Sequence, residues 1–151
     1  SLKLPLIGKI IFYSNLYQTG NLIATLLQSG INTTETFQLT EKTIENAHLK
    51  KQFSTAKAQI NEGASVTQAF RLQNFMPDVA LDILSVGEDT GELAHSMAYV
   101  TESFKESLSQ RLNALTTIVS SLALGFAFGL VTLIAIGIVT SVFEVSKTLS
   151  I

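Results

Sequence analysis

No cysteine occurs among the 151 residues, which removes disulfide bridges, thiolate metal ligands and thiol nucleophiles together. Histidine is almost as scarce. His48 and His95 are the only two, and neither has a second ligand type at a metal-binding interval on its helix face, so both read as lone polar residues. With only two prolines, Pro5 and Pro77, long stretches contain nothing to break a helix. Alternating β-branched runs bounded by turns are missing, and no strand is predicted. Charged residues make up 15% of the chain, the net charge is -2, and Lys50–Lys51 is the only adjacent basic pair, so nucleic-acid binding is not expected. Serine, threonine and carboxylates are plentiful, but none is arranged with a base and a group to hold that base. The chain reads as no enzyme, with no metal and no cofactor.

What the sequence has instead is one long apolar run. From Leu112 to Phe143 there is no charged residue, and from Ile118 onward Leu, Ile, Val, Phe, Ala and Gly dominate. A helix of roughly 20 apolar residues crosses a hydrocarbon core of about 30 Å, whereas an extended strand would leave its backbone groups unpaired in lipid. The run is longer than a span requires, so its first turns are expected outside the bilayer. A buried core helix is the alternative, but only about 110 residues precede the run, enough for one modest core of their own. Within the run Ser121, Gly125, Gly129, Gly137 and Ser141 fall on a four-residue ladder broken by Leu133. Small residues let apolar helices approach closely in lipid, so these five are expected to pack against another span or a second copy. Lys105 and Arg111 before the run and Lys147 after it mildly favour a cytoplasmic placement for the part that precedes.

That preceding part reads as helices throughout. An apolar lead-in, Leu4-Pro5-Leu6-Ile7-Gly8, is expected to be irregular because of its proline. A first helix from Lys9 carries Phe12, Leu16, Thr19, Ile23, Leu26 and Leu27 on one side and ends at Gly30. Gly20 inside it marks either a close helix contact or mere tolerance. Asn32 with Glu35 predicts an N-cap for a second helix bearing Phe37 and Ile44. A third carries Leu49, Phe53, Ala56 and Ile60 and ends at Gly63. Ser65 with Gln68 starts a short fourth. Pro77 fits the first position of a fifth, whose predicted buried face is Val79, Ala80, Ile83 and Leu84 and whose predicted end is Gly87. A sixth begins near Glu92 with the stripe Leu93, Met97, Val100, Phe104, Leu108, Leu112 and Leu115, and nothing interrupts it before the apolar run.

The fold class is therefore all-α: a six-helix bundle over residues 1–111 whose last helix continues as a single transmembrane helix over 112–143, followed by a short non-cytoplasmic tail over 144–151. The opening Ser-Leu-Lys-Leu-Pro has no signal-peptide pattern, which fits a piece of a longer protein. Gly87-Glu88-Asp89-Thr90-Gly91 lacks the lysine of a phosphate loop and reads as a helix-to-helix turn. Around it Asp78, Asp82, Glu88, Asp89 and Glu92 are concentrated. They form a candidate contact for a basic partner, or a less favoured cation site that lacks the alternating oxygen ligands of a calcium loop.

With these motifs in order, the chain resembles the inner-membrane platform proteins of type II secretion systems and type IV pilus machines. The matching segments are Leu4-Pro5-Leu6-Ile7-Gly8, Leu26-Leu27-Gln28-Ser29-Gly30-Ile31, Gly63 with Ser65 and Ala69, Phe75-Met76-Pro77, Gly87 to Leu93, and Gly125 with Gly129. Thr117-Ile118 stands where the family often has Glu-Pro, and no proline lies near Ser141, so the resemblance is to a divergent member. It implies a longer protein with two related cytoplasmic helical domains and three membrane helices, of which this chain is the second domain and the last helix. It also implies a non-enzymatic inner-membrane oligomer that contacts an assembly ATPase, pilin or pseudopilin subunits and other inner-membrane assembly proteins. Two other readings compete with it. One is a membrane-anchored enzyme. The other is a helical signalling or receptor module relaying ligand binding through its long last helix, which a ligand-sized cavity in the bundle would favour.

Overall fold

In the computed structural model the backbone is described for residues 4–150 and the side chains for residues 7–150. Six helices follow one another: α1 (Leu4–Gln28), α2 (Thr33–Thr43), α3 (Ala47–Asn61), α4 (Val66–Leu72), α5 (Asp78–Thr90) and α6 (Leu93–Leu149). The all-α architecture with one long apolar last helix is the one the sequence predicts. Two compact units divide the chain after Arg111.

Side-chain caps set the helix starts. Asn32 accepts the Glu35 N–H at 2.8 Å and Ser65 accepts that of Gln68 at 3.1 Å, as their spacing suggests. A third cap is Asn46, whose side chain accepts the N–H groups of His48 and Leu49 and separates α3 from α2 where no glycine or proline does. Gly30 and Gly63 terminate α1 and α3 with φ of 85° and 106°, a region that costs residues bearing a Cβ.

Three expected boundaries differ in the structure, the smallest at Pro77, which is the N-cap of α5 and not its first helical residue. The lead-in before Lys9 is helical from Leu4. The first four N–H groups of a helix have no intrahelical acceptor, so Pro5, at the second position, forfeits nothing. The burial of Leu4 and Leu6 lies outside the described residues. At the other end of the bundle, α5 does not stop at Gly87 but runs to Thr90. Gly91, at φ 77°, forms the C-cap, and the Glu92 N–H closes the turn on the Gly87 carbonyl at 2.7 Å.

The core of the first unit is aromatic. Phe37, Phe53, Phe70 and Phe75, from α2, α3, α4 and the loop after α4, are all buried. Phe37 stacks on Phe53 at 5.4 Å between ring centroids, and Phe70 on Phe75 at 4.8 Å. Offset aromatic pairs of this kind add about 0.5–1.5 kcal/mol each beyond the area they bury. Leu16 and Ile23 of α1, Leu81 and Leu84 of α5, and Met97 and Val100 of α6 complete it. On α5 the buried face is Ala80, Leu81 and Leu84 with Ile83 at its margin. Val79, expected inside, is 73% exposed. Apolar residues cover more than half of the circumference of α5, so periodicity alone does not choose its inner face.

Two glycines permit the closest helix approaches. A Cβ at Gly20 would lie 2.6 Å from Thr101 Oγ1, which identifies Gly20 as a contact between α1 and α6. At Gly87 it would lie 2.0 Å from Ser96 Oγ. Gly87 is thus required by packing, which is why it sits inside a helix it was expected to end. Beyond Phe104 the α6 stripe loses its cover: Leu108 and Leu115 are half-buried and Leu112 is exposed. At the edge of the first unit the Arg111 guanidinium lies over the Tyr13 ring, 4.9 Å from its centroid.

Candidate functional site

The five acidic residues singled out by the sequence lie on α5 and at the turn into α6, and the structure gives them unlike surroundings. Glu88 is half-buried. Its Oε1 accepts the Val66 N–H at 2.6 Å and its Oε2 the Thr67 N–H at 3.0 Å, so this carboxylate caps α4 from another helix. Asp78 and Asp82, one turn apart, both reach Arg71 at the end of α4, Asp82 at 2.9 Å and Asp78 at 3.5 Å. These are exposed pairs, each contributing little to stability. Asp89 and Glu92 are exposed, with no Lys or Arg at ion-pair distance among the described residues.

Successive residues of a helix turn by about 100°, so Asp78, Asp82 and Asp89 share one face within about 40°, whereas Glu88 points to a different side. The same rise puts Asp78 and Asp89 about 16 Å apart along the axis. The carboxylates form a row instead of converging, and among the described residues no three His, Asp or Glu side chains gather as a metal-binding group. His48 and His95 are both exposed.

Two clefts among the described residues of the first unit are small. One of about 210 Å³ is lined by Asn15, Gln18, Thr19, Thr43 and Glu45 among others. A neighbour of about 240 Å³ is lined by Phe12, Asn46, His48, Gln52 and Asn74 among others. Sites for drug-sized ligands typically enclose about 300–1,000 Å³.

The second unit is the rest of α6. Its most apolar 18 residues have a mean hydropathy of 2.6 and are wholly unburied by the protein itself. Phe126 and Leu133, for example, are about two-thirds exposed, as is the run around them. A contiguous apolar surface of that extent needs a non-aqueous surrounding or a partner. Several of its hydroxyls bond within the helix: Ser121, Thr132 and Thr140 each donate to the carbonyl four residues back, at 2.8–2.9 Å. Beside Gly125, Gly129 and Gly137 there is open space where a Cβ would stand. Each four-residue step advances the ladder by about 40°, so Ser121 and Gly129 lie within about 40° of Gly125, while Gly137 and Ser141 point about 120° and about 160° away from it.

An all-α domain whose last helix carries an exposed apolar run suited to a bilayer defines a membrane-associated helical class. The family model for "Type II secretion system (T2SS), protein F" matches residues 21–141, and the chain belongs to that family. It is similar to a type IV pilus assembly protein PilC of Thermus thermophilus, 24% identical over 99% of this chain and 37% of the relative. It is also similar to a type II secretion system protein F of Pseudomonas aeruginosa, 21% identical over 97% of this chain and 36% of the relative. A third relative, a HofC homolog of Haemophilus influenzae named as a protein transport protein, is 21% identical over 96% of this chain. The chain spans a little over a third of the length of these relatives. Family and apolar helix together support an inner-membrane association.

Proposed function

We propose that the chain is part of a non-enzymatic platform protein that couples a cytoplasmic assembly ATPase to the insertion or extraction of pilin or pseudopilin subunits. In this reading residues 1–111 form the cytoplasmic bundle, 112–143 the transmembrane helix and 144–151 a short non-cytoplasmic tail. Asp78, Asp82, Asp89 and Glu92 face a partner, and Glu88 holds the adjacent α4 in place. Ser121, Gly125, Gly129, Gly137 and Ser141 pack the span against other spans of the same polypeptide or of further copies in a homo-oligomer, alongside other inner-membrane assembly proteins.

The observation that carries the reading is the continuity of α6, one helix from Leu93 to Leu149 that places Met97, Val100 and Phe104 in the core of the bundle and carries the uncharged, largely apolar run from Leu112 to Phe143. No proline interrupts it, so force received by the bundle has a hydrogen-bonded path to the bilayer. Family membership supports the same role, and the small clefts favour it over a ligand receptor. Purification of the full-length protein from native membranes tests it: an assembly ATPase and pilin or pseudopilin subunits should co-purify, and recovery of neither overturns the reading.

A further inference from the structure

α5 presents to solvent a pattern that a solvated helix has no need of. Val79 and Val86, seven residues apart, are 73% and 64% exposed, and Asp82 and Asp89, also seven apart, lie exposed on the same side. Read in order, Val79, Asp82, Val86 and Asp89 follow at intervals of three, four and three. That is the interval at which a helix offers a continuous seam to a second helix lying alongside it. The Arg71–Asp82 ion pair brings the end of α4 against the start of α5.

We propose that the outer face of α5 is a docking seam for one helix of another protein, in which Lys or Arg alternates with aliphatic residues at the same spacing. The inference rests on the partner-facing reading of the acidic region and specifies what binds there. Charge complementarity selects the occupant. Aspartates interleaved with valines match cations interleaved with aliphatic side chains, and like charge set opposite them is rejected. An anionic lipid surface is repelled by the same row. A second copy presenting the same face would set aspartates against aspartates. Asp82 is held on one side only, by Arg71, and Asp89 has no such partner among the described residues, so both have acceptor capacity left for an incoming cation. Val79 and Val86 lose their exposed apolar area on docking.

The test places a photo-reactive phenylalanine derivative at Val86 of the full-length protein in its native membrane and maps the adducts by mass spectrometry. The expected adduct is a helical segment of another protein with Lys or Arg and aliphatic residues alternating at three- and four-residue intervals. Asp82→Lys combined with Asp89→Lys should lower its yield about tenfold. The melting midpoint should move only slightly, because the Arg71–Asp82 pair that is lost is exposed and contributes little to stability. Reversing the labelled partner's cation to Glu should restore the yield. Adducts with lipid alone, with a second copy alone, with a segment lacking that pattern, or insensitive to the aspartate reversal overturn the inference, as does the absence of any adduct. If the assembly ATPase co-purifies while Val86 labels nothing, the seam fails and the platform reading stands. If the seam labels a basic helix in a preparation without ATPase or pilin, the seam stands and the platform reading fails.

Discussion

The Glu88 carboxylate accepts the backbone N–H of Val66 at 2.6 Å, from twenty-two residues further along the chain. The second oxygen takes the Thr67 N–H, so one side chain of α5 supplies what the start of a seven-residue helix lacks. A helix that short is marginal alone, and this contact ties the Gly-Glu motif to the bundle's architecture as well as to any partner.

Replacing this cap has a defined cost. Glu88→Ala should destabilise the first unit by about 1–2 kcal/mol, the usual loss when helix-end N–H groups forfeit a side-chain acceptor. Denaturant unfolding in detergent measures it, and hydrogen exchange should speed up first at Val66 and Thr67.

Adding a methyl to Gly87 should be worse than its chemistry suggests. In an open helix Gly→Ala gains about 1 kcal/mol. Here the new Cβ would meet Ser96 Oγ at 2.0 Å and Ser96 Cβ at 2.4 Å, so Gly87→Ala should cost about 1–3 kcal/mol. Combining it with Ser96→Gly should recover part of the loss, and a thermal-melt comparison of the two variants decides the point.

Within the aromatic core, Phe53 touches Phe37, Phe70 and Phe75. Phe53→Ala should destabilise by about 3–5 kcal/mol, against about 0.5 kcal/mol or less for Val79→Ala on the exposed face. Equal effects in denaturant melts would contradict the burial of Phe53 in the core and the exposure of Val79 on the outer face of α5.

Acid should weaken the α2–α3 contact. The hydrogen bond and ion pair from Lys57 hold the Glu41 carboxyl below its ordinary value of 4.5, outweighing the opposing effect of burial. A depressed carboxylate contributes stability that is complete above its unfolded value and disappears as the pH falls through the folded one. Glu41→Gln should therefore lower stability at neutral pH and flatten the decline on the acid side, as read from melting midpoints across that range.

In the membrane, Gly125→Leu combined with Gly129→Leu should disrupt association of the span by filling the face where a Cβ now meets open space. Assembly size in detergent reports it. Gly137→Leu should have a separate effect, because that residue faces elsewhere.

Much of this protein was legible along the chain because the physics involved is local. N-caps at Asn32 and Ser65, glycine ends at Gly30 and Gly63, and the uncharged run from Leu112 to Phe143 each depend on residues within a turn or two, or on composition. The acidic residues were legible as a concentration but not as a site. Nearness in sequence did not reveal that Glu88 turns inward while Asp78, Asp82 and Asp89 form an outward row.

By itself the sequence determined the helical class, the order of the helices and the bilayer-suited last one, since periodicity, capping and hydropathy are written within single segments. Only the tertiary structure decided that Gly87 is a packing contact inside α5, that Glu88 serves α4, and that Val79 faces outward. Each of those outcomes rests on a neighbour supplied by another part of the chain: Ser96 against Gly87, Val66 and Thr67 against Glu88, and the aromatic core that draws Leu81 inward and leaves Val79 in solvent.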